Sequence, residues 1–442
     1  MDFKQKVYNR LPISLQNRLV SIEGRKKYNL RFNNKYSKQV KNELLCSTDH
    51  QKMLQIKYLK KYLQKAQNHS VYWKDKLNNI NLDCFDPREL KTLPVVSKED
   101  ILQNKELFIN TTLDKNNLIK VKTGGTSGSG LTFPSTKKSI AVAFTLFYEQ
   151  CYHKNNFGDK YATFNGNPVV PDSQSQPPFW RYNRVSNQTI FSIAHMEDRN
   201  LKYYYQELKN DYLYLNGYPS AIFAMAEFID SNQLEPIKLN AIYTSSEMLL
   251  EGPRAVIERA FDCKVYDLYS NAEQSVLAYQ NERGIYDLSL LYSYVWFKET
   301  DITVGNETAY KVIGTNFNND AFFFINYDTN DLVLLNEDGK IKKVLGRGVE
   351  VIKLRNGKKL GGAGLSLIFK NAEDIKETQI IQNDYDHIII KIVLRGNVFK
   401  SEKAILNGIR QRFSNEINVD FEIVDRIEKN KNGKFTFIKS RI

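Results

Sequence analysis

A chain of 442 residues with a formal net charge of +13 is too long for one small core and is expected to divide into two or three domains. Its 42% hydrophobic and 12% aromatic content excludes a disordered polymer, and the basic balance favours anionic partners. Lys and Arg are spread along the chain without the single patch of a polyanion binder, so nucleic acid is not an expected partner.

The start, Met1-Asp-Phe-Lys-Gln-Lys-Val7, lacks the apolar core of a signal peptide. The clearest apolar run, Ala141 to Tyr148, is too short and too polar to cross a bilayer. A soluble, cytoplasmic protein is expected. Residues 1–70 read as a basic, helical extension packed on the core. Within them Leu11-Pro-Ile-Ser-Leu-Gln-Asn-Arg-Leu-Val20 sets apolar residues among charges. That pattern suits a helix docked on its own domain or a peripheral membrane contact.

Ser97, ahead of Glu99 and Asp100, is a helix cap. Leu118 to Lys122 reads as a strand leading into the Gly/Ser/Thr loop Thr123 to Gly130, and Lys137 to Cys151 as a helix. Ala241 to Thr244 and Cys263 to Tyr269 read as strands around a helix that begins at Pro253. Strand, helix, strand is the α/β signature. Ala309 to Thr315 and Ala321 to Tyr327 are further expected strands, with a hairpin turn at Asp338-Gly339. A boundary falls near Gly346-Arg-Gly348, giving a large domain over 71–346 and a small α+β lid over 347–442. The lid is read as strand His387 to Arg395, a helix opened by Ser401 with Leu406, Ile409 and Phe413 on one face, and strand Val419 to Val424. The cysteines Cys46, Cys84, Cys151 and Cys263 fit no metal spacing and read as inert thiols.

Five segments carry chemistry. The loop from Thr123 contains four glycines, which let backbone amides approach phosphate, although it lacks the Gly-Lys-Ser/Thr ending of a Walker loop. Glu273 ends Tyr269-Ser-Asn-Ala-Glu273 after an expected parallel strand, where α/β folds place ligands. A carboxylate there suits Mg²⁺ bridging nucleotide phosphates; a glutamate at a helix start is the plain alternative. Asp331, in Tyr327-Asp-Thr-Asn-Asp331, suits hydrogen bonds from both ribose hydroxyls, or is a solvated turn residue. Lys434, in Lys431-Asn-Gly-Lys434, offers an ammonium to charge developing on phosphate. Thr244-Ser-Ser-Glu247 completes the set.

With these segments in order, the chain resembles the adenylate-forming superfamily of acyl-CoA synthetases and ligases over roughly residues 70–442. Leu93-Pro-Val-Val-Ser-Lys-Glu-Asp100 and Tyr218-Pro-Ser220 resemble its phenylacetate-CoA ligase branch. Leu11-Pro-Ile-Ser-Leu-Gln-Asn17, with Glu23-Gly24 and Arg31, resembles the CapK-like capsular-polysaccharide subgroup. The resemblance implies that Thr123, Gly124, Gly125, Thr126, Ser127 and Gly128 belong to the pyrophosphate loop, and that Ser245, Ser246 and Glu247 flank adenine. It places Tyr269 near the nucleotide, Glu273 on Mg²⁺, Asp331 and Arg347 on the ribose, Glu350 at the hinge, and Lys434 as the adenylation lysine.

Departures stand at Ser270 and Asn330, where the family has glycine, at Asp328, where it has arginine, and in the hinge Gly-Arg-Gly-Val-Glu350. The implied function is ATP- and Mg²⁺-dependent activation of a carboxylic acid to an acyl-adenylate. Acyl transfer to CoA, a sugar hydroxyl or an amine would follow, in surface polysaccharide biosynthesis. The rival is a non-catalytic assembly factor of a polysaccharide machine that keeps the fold. Phe144, Tyr148, Phe164, Trp180 and His195 are candidate acyl-pocket residues, and core packing explains them equally well.

Overall fold

The computed structural model describes residues 3–78, 80–123, 131–304, 306–347, 351–355, 359–361, 365, 367–369, 372, 374–413, 417–429 and 435–442. Two compact units divide the chain. The first comprises residues 1–246, 257–296 and 313–329, and the second residues 247–256, 297–312 and 330–442.

Consecutive runs of Val, Ile, Tyr and Phe build the sheet of the first unit. Its strands lie in the order Tyr286–Leu288, Leu277–Gln280, Val265–Ser270, Ala241–Ser245, Tyr214–Gly217, Tyr161–Asn165, Gln188–Ser192 and Trp180–Asn183. The five central strands are parallel, and the pairs at the flanks are antiparallel. Parallel strands need crossovers, and helices supply them: Pro219–Ser231 and Glu251–Ala260 each connect neighbouring strands, and Asp198–Leu208 connects the two strands on either side of Tyr161–Asn165. The expected alternation of strand and helix around Pro253 is thus present.

The described chain opens on the helices Phe3–Asn9, Ile13–Arg31, Lys35–Leu44 and Thr48–His69. The last contributes Leu59, Tyr62, Leu63 and Ala66 to a core that includes Trp73, Leu90, Phe108, Phe133 and Phe322 to Ile325. Ser97 caps Lys98–Asn104 as expected, accepting from Asp100 N at 3.1 Å while the Asp100 side chain accepts from Ser97 N at 2.8 Å.

One expected strand is absent. Residues 321–326 form no ladder, and the strand begins only at Tyr327. This apolar segment threads the core instead. Phe323 N donates to Phe108 O at 3.0 Å, Asn316 N to Phe324 O at 3.0 Å, and Phe324 N to the Tyr62 hydroxyl at 3.0 Å. Its backbone groups find partners one at a time, which an apolar run does not distinguish from strand pairing.

The strands Tyr294–Val304, Glu307–Thr315, Tyr327–Leu335 and Ile341–Arg347 are neighbours in that order, and residues 297–304, 307–312, 330–335 and 341–347 of them belong to the second unit. The last two form the expected hairpin, with Gly339 at φ +72° in the turn. A separate four-stranded sheet runs in the order Asn418–Ile423, His387–Leu394, Ile375–Asp384 and Ile438–Ser440. The helix Glu402–Phe413 is the crossover between the parallel pair His387–Leu394 and Asn418–Ile423. Ser401 opens it, its backbone amide donating to Asp374 at 2.9 Å. The buried helix positions are Ile405 and Ile409, with Leu406 half-buried. The expected face is therefore rotated by one residue, because i and i+4 are the positions that stack over one spot. The Phe413 side chain lies outside the described residues.

Gly314 sits where the strand Glu307–Thr315 passes against the turn at Ser275. A Cβ there would lie 2.0 Å from the Ser275 carbonyl oxygen, and backbone cannot yield as a flexible side-chain tip can. Gly314→Ala should cost at least about 1–3 kcal/mol, read as a lowered urea midpoint at unchanged m-value. Gly252→Ala, where nothing lies within 4 Å, should leave the midpoint unchanged or raised.

Candidate active site

The strands Ala241–Ser245 and Val265–Ser270 run parallel with Thr244 opposite Asp267 and Ser245 opposite Leu268. Asp267 is 6% exposed. A buried carboxyl group is costly unless hydrogen-bonded, and here Oδ1 accepts from Thr244 Oγ1 at 2.7 Å and Oδ2 from the Tyr286 hydroxyl at 2.6 Å. Its backbone amide donates to Gln280 Oε1 at 2.9 Å. Two strand ends and a neighbouring hairpin are thereby held together. Asp267 and Tyr286 are absent from the sequence reading. An acid inside the apolar alternation Val265-Tyr-Asp-Leu-Tyr269 was the available signal.

Glu273 follows at the carboxyl end of the same strand, as expected. The chain turns through Asn271, whose Oδ1 accepts from Ser275 N at 2.9 Å and whose Nδ2 donates to Ser275 Oγ at 2.7 Å. It then enters the antiparallel strand Leu277–Gln280, so Glu273 does not open a helix. The side chain is 7% exposed. Its Oε1 accepts from the Tyr327 hydroxyl at 2.9 Å, and its carbonyl accepts from Asn316 Nδ2 at 2.9 Å. Next to it, Gln274 Oε1 accepts from Ser139 Oγ at 2.5 Å, which ties the turn to the helix Lys137–Leu146 that follows the Gly/Ser/Thr loop. Tyr269 is buried, its hydroxyl 3.4 Å from Thr329 Oγ1.

The Gly/Ser/Thr loop joins two paired strands, Ile119–Lys122 and Thr132–Ser135, which are antiparallel. Thr123 closes its neck: Thr123 N donates to Leu131 O at 2.8 Å, and Leu131 N to Thr123 Oγ1 at 2.9 Å. Gly124, Gly125, Thr126, Ser127 and Gly128 lie outside the described residues, as do Glu350 and Lys434. Ser245 ends its strand half-buried, and Ser246 is exposed at φ +71°. Within the first unit the structure therefore gathers Thr123, Ser245, Tyr269 and Glu273 onto elements linked by the bonds above.

In the second unit Asp331 pairs with Arg347 across the hairpin. Asn330, in place of the family's glycine, adopts φ +58°, a left-handed conformation that asparagine tolerates better than most residues. Glu247, expected beside adenine, accepts from Phe435 N at 2.8 Å through Oε1. It thus holds the residue that follows Lys434.

The aromatic candidates are taken up by packing. Phe164 stacks on Phe191 with centroids 4.8 Å apart, and Trp180 Nε1 donates to the Tyr182 hydroxyl at 2.9 Å. Arg31 lies over the Phe144 ring at 3.6 Å. Tyr148 donates to Asn156 O at 2.9 Å, and burial pushes its hydroxyl up to about 12. His195 stacks on Phe179 with Nδ1 2.7 Å from Ser192 Oγ, and burial holds its imidazole below the usual value.

Among the described residues no three His, Cys, Asp or Glu side chains cluster as a self-sufficient metal cage. All four cysteines are free, and burial raises the Cys151 thiol well above its ordinary value. A single carboxylate at a strand end does fit Mg²⁺ that arrives with phosphate oxygens, since Mg²⁺ keeps few protein ligands. Among the described residues no helix is long and apolar enough to cross a membrane.

Residues 353–441 match the family model of the CapK C-terminal domain. Across its length the chain is 29% identical over 457 residues to protein CapK of Staphylococcus aureus, covering 99% of each. Among solved structures it is similar to 2-hydroxyisobutyryl-CoA ligase in complex with 2-HIB-AMP, with TM-score 0.61, 16% identity and 90% of each chain covered. It is also similar to the anthranilate CoA ligase AuaEII in complex with anthranoyl-AMP, with TM-score 0.52, 15% identity and coverage of 74% of this chain and 67% of that one. The chain is thus similar over nearly its whole length to CapK, and it has the mixed α/β fold seen in these acyl-CoA ligase structures.

Proposed function

We propose that this protein activates a carboxylic acid with ATP. The acid oxygen attacks the α-phosphate, the α–β phosphoanhydride bond breaks, and acyl-AMP and pyrophosphate form. A nucleophile then attacks the acyl carbon and AMP leaves. The observation that carries this reading is the position of Glu273: a buried carboxylate at the end of a parallel strand, oriented by Tyr327 from the segment leading to Asp331.

In this reading Glu273 would hold Mg²⁺, which neutralises phosphate charge. The loop from Thr123 to Gly128 would cradle the β- and γ-phosphates. Ser245, Ser246 and Tyr269 would bound the adenine, and Asp331 with Arg347 the ribose hydroxyls. Lys434 would stabilise charge on the α-phosphate. The bond from Phe435 to Glu247 supports a second role for Glu247, fixing the backbone next to that lysine. The likeness to CapK supports an acyl acceptor in surface polysaccharide biosynthesis, with CoA as the other acceptor class.

The test is ATP–pyrophosphate exchange across a panel of carboxylic acids, followed by acyl transfer with and without CoA. At least one acid should drive exchange. Glu273→Ala should abolish it, and Lys434→Ala should lower it by about two to three orders of magnitude. A panel of aliphatic, aryl and sugar acids that elicits no exchange, alongside absent ATP binding by calorimetry, defeats the proposal.

Tyr327→Phe removes the hydroxyl that orients Glu273. It should raise KM for MgATP while leaving the KM for the acid unchanged, and cost about 1.5–3 kcal/mol of stability, as expected for a bond to a charged group. Steady-state kinetics and denaturant unfolding check both. Glu247→Ala should lower kcat for adenylation by about tenfold, the equivalent of one hydrogen bond of about 1.4 kcal/mol, as read by steady-state kinetics.

A further inference from the structure

Residues 1–70 hold 16 Lys and Arg against four Asp and Glu, whereas the remaining residues hold 47 against 46. Cations do occur throughout the chain, as expected, yet their excess belongs almost wholly to the four N-terminal helices. Among these helices, Ile13–Arg31 has two distinct faces.

Its inner face is firmly mounted. Gln16 is buried, with Oε1 accepting from Arg181 Nε at 2.6 Å. Asn17 Oδ1 accepts from Tyr182 N at 2.9 Å, and Ser21 Oγ from Arg184 N at 3.2 Å. A Cβ at Gly24 would lie 2.2 Å from Asn183 Oδ1, so the helix packs closely on the Asn183 side chain. The docked-helix reading of this segment therefore holds.

The opposite face is apolar and basic together. Leu15, Leu19 and Ile22 are 39%, 42% and 55% exposed, and their spacing of four and three residues stacks them along one line. Arg18, Arg25 and Lys26 are exposed on the same side. Glu23 lies 3.9 Å from Lys26 and offsets one of these charges. A lone exposed leucine is ordinary. Three in line, flanked by cations on a helix whose other face is already occupied, need a partner that is apolar beneath an anionic surface.

We propose that this stripe docks the protein onto an anionic lipid bilayer, with Leu15, Leu19 and Ile22 at the acyl boundary and Arg18, Arg25 and Lys26 among the headgroups. Charge complementarity selects this occupant. A soluble polyanion would satisfy the cations and leave the three apolar side chains in water. The inference is independent of the adenylation reading.

The test is flotation of the full chain with vesicles of phosphatidylcholine alone and of an equal mixture with phosphatidylglycerol. The protein should float with the anionic vesicles at low salt and should not float with the neutral ones. It should be released near 1 M salt, where the Debye length falls to about 3 Å. Leu15→Ser/Leu19→Ser/Ile22→Ser and Arg18→Gln/Arg25→Gln/Lys26→Gln should each weaken binding by about tenfold or more. Unchanged far-UV dichroism and melting would show that both variants still fold. No flotation of the wild type with anionic vesicles overturns the proposal. Binding that survives the apolar variant and is competed by heparin also overturns it, and assigns the cations to a soluble polyanion.

Discussion

A carboxyl group inside a protein must be met by donors, and in the first unit two such groups, Asp267 and Glu273, organise what surrounds them. Each is almost fully buried, and each accepts a hydrogen bond from a tyrosine hydroxyl contributed by a different element. Removing either donor would take one hydrogen bond from a buried carboxyl group, where such bonds count for more than at the surface. The strand ends Thr244–Ser245 and Tyr269–Ser270 are therefore fixed by polar pairing as much as by the parallel ladder.

The turn that carries Glu273 is held from three sides. Asn271 and Ser275 close it internally, Asn316 donates to its carbonyl, and Ser139 reaches Gln274 from the helix Lys137–Leu146. Gly314 permits the neighbouring strand to approach within contact of the Ser275 carbonyl. Under the proposed adenylation, Glu273 would need little ordering when a ligand arrives, because the turn that carries it is already held.

The N-terminal helices divide their labour by face. On Ile13–Arg31 the residues spaced to meet Arg181, Tyr182 and Asn183 are small or amide-bearing, whereas those pointing away are leucine, isoleucine, arginine and lysine. Docking of one face fixes the direction of the other. An apolar patch among charges in the sequence is therefore consistent with both a mounted helix and an outward surface, and the two readings are complementary.

Much of this was legible from residues alone where the governing physics is local. The Ser97 cap, the Asp338-Gly339 turn, the strand before Glu273 and the strand leading into the glycine-rich loop follow from capping, left-handed backbone preference and side-chain alternation within a few positions. Non-local pairing decided the rest. The partner of a buried acid is chosen by three-dimensional proximity, so the sequence could not name Tyr286 for Asp267, Tyr327 for Glu273 or Phe435 for Glu247. For the same reason residues 321–326 read as a strand: apolar composition reports burial, and only the tertiary structure settles whether a buried backbone finds its hydrogen bonds in a ladder or, as here, one by one.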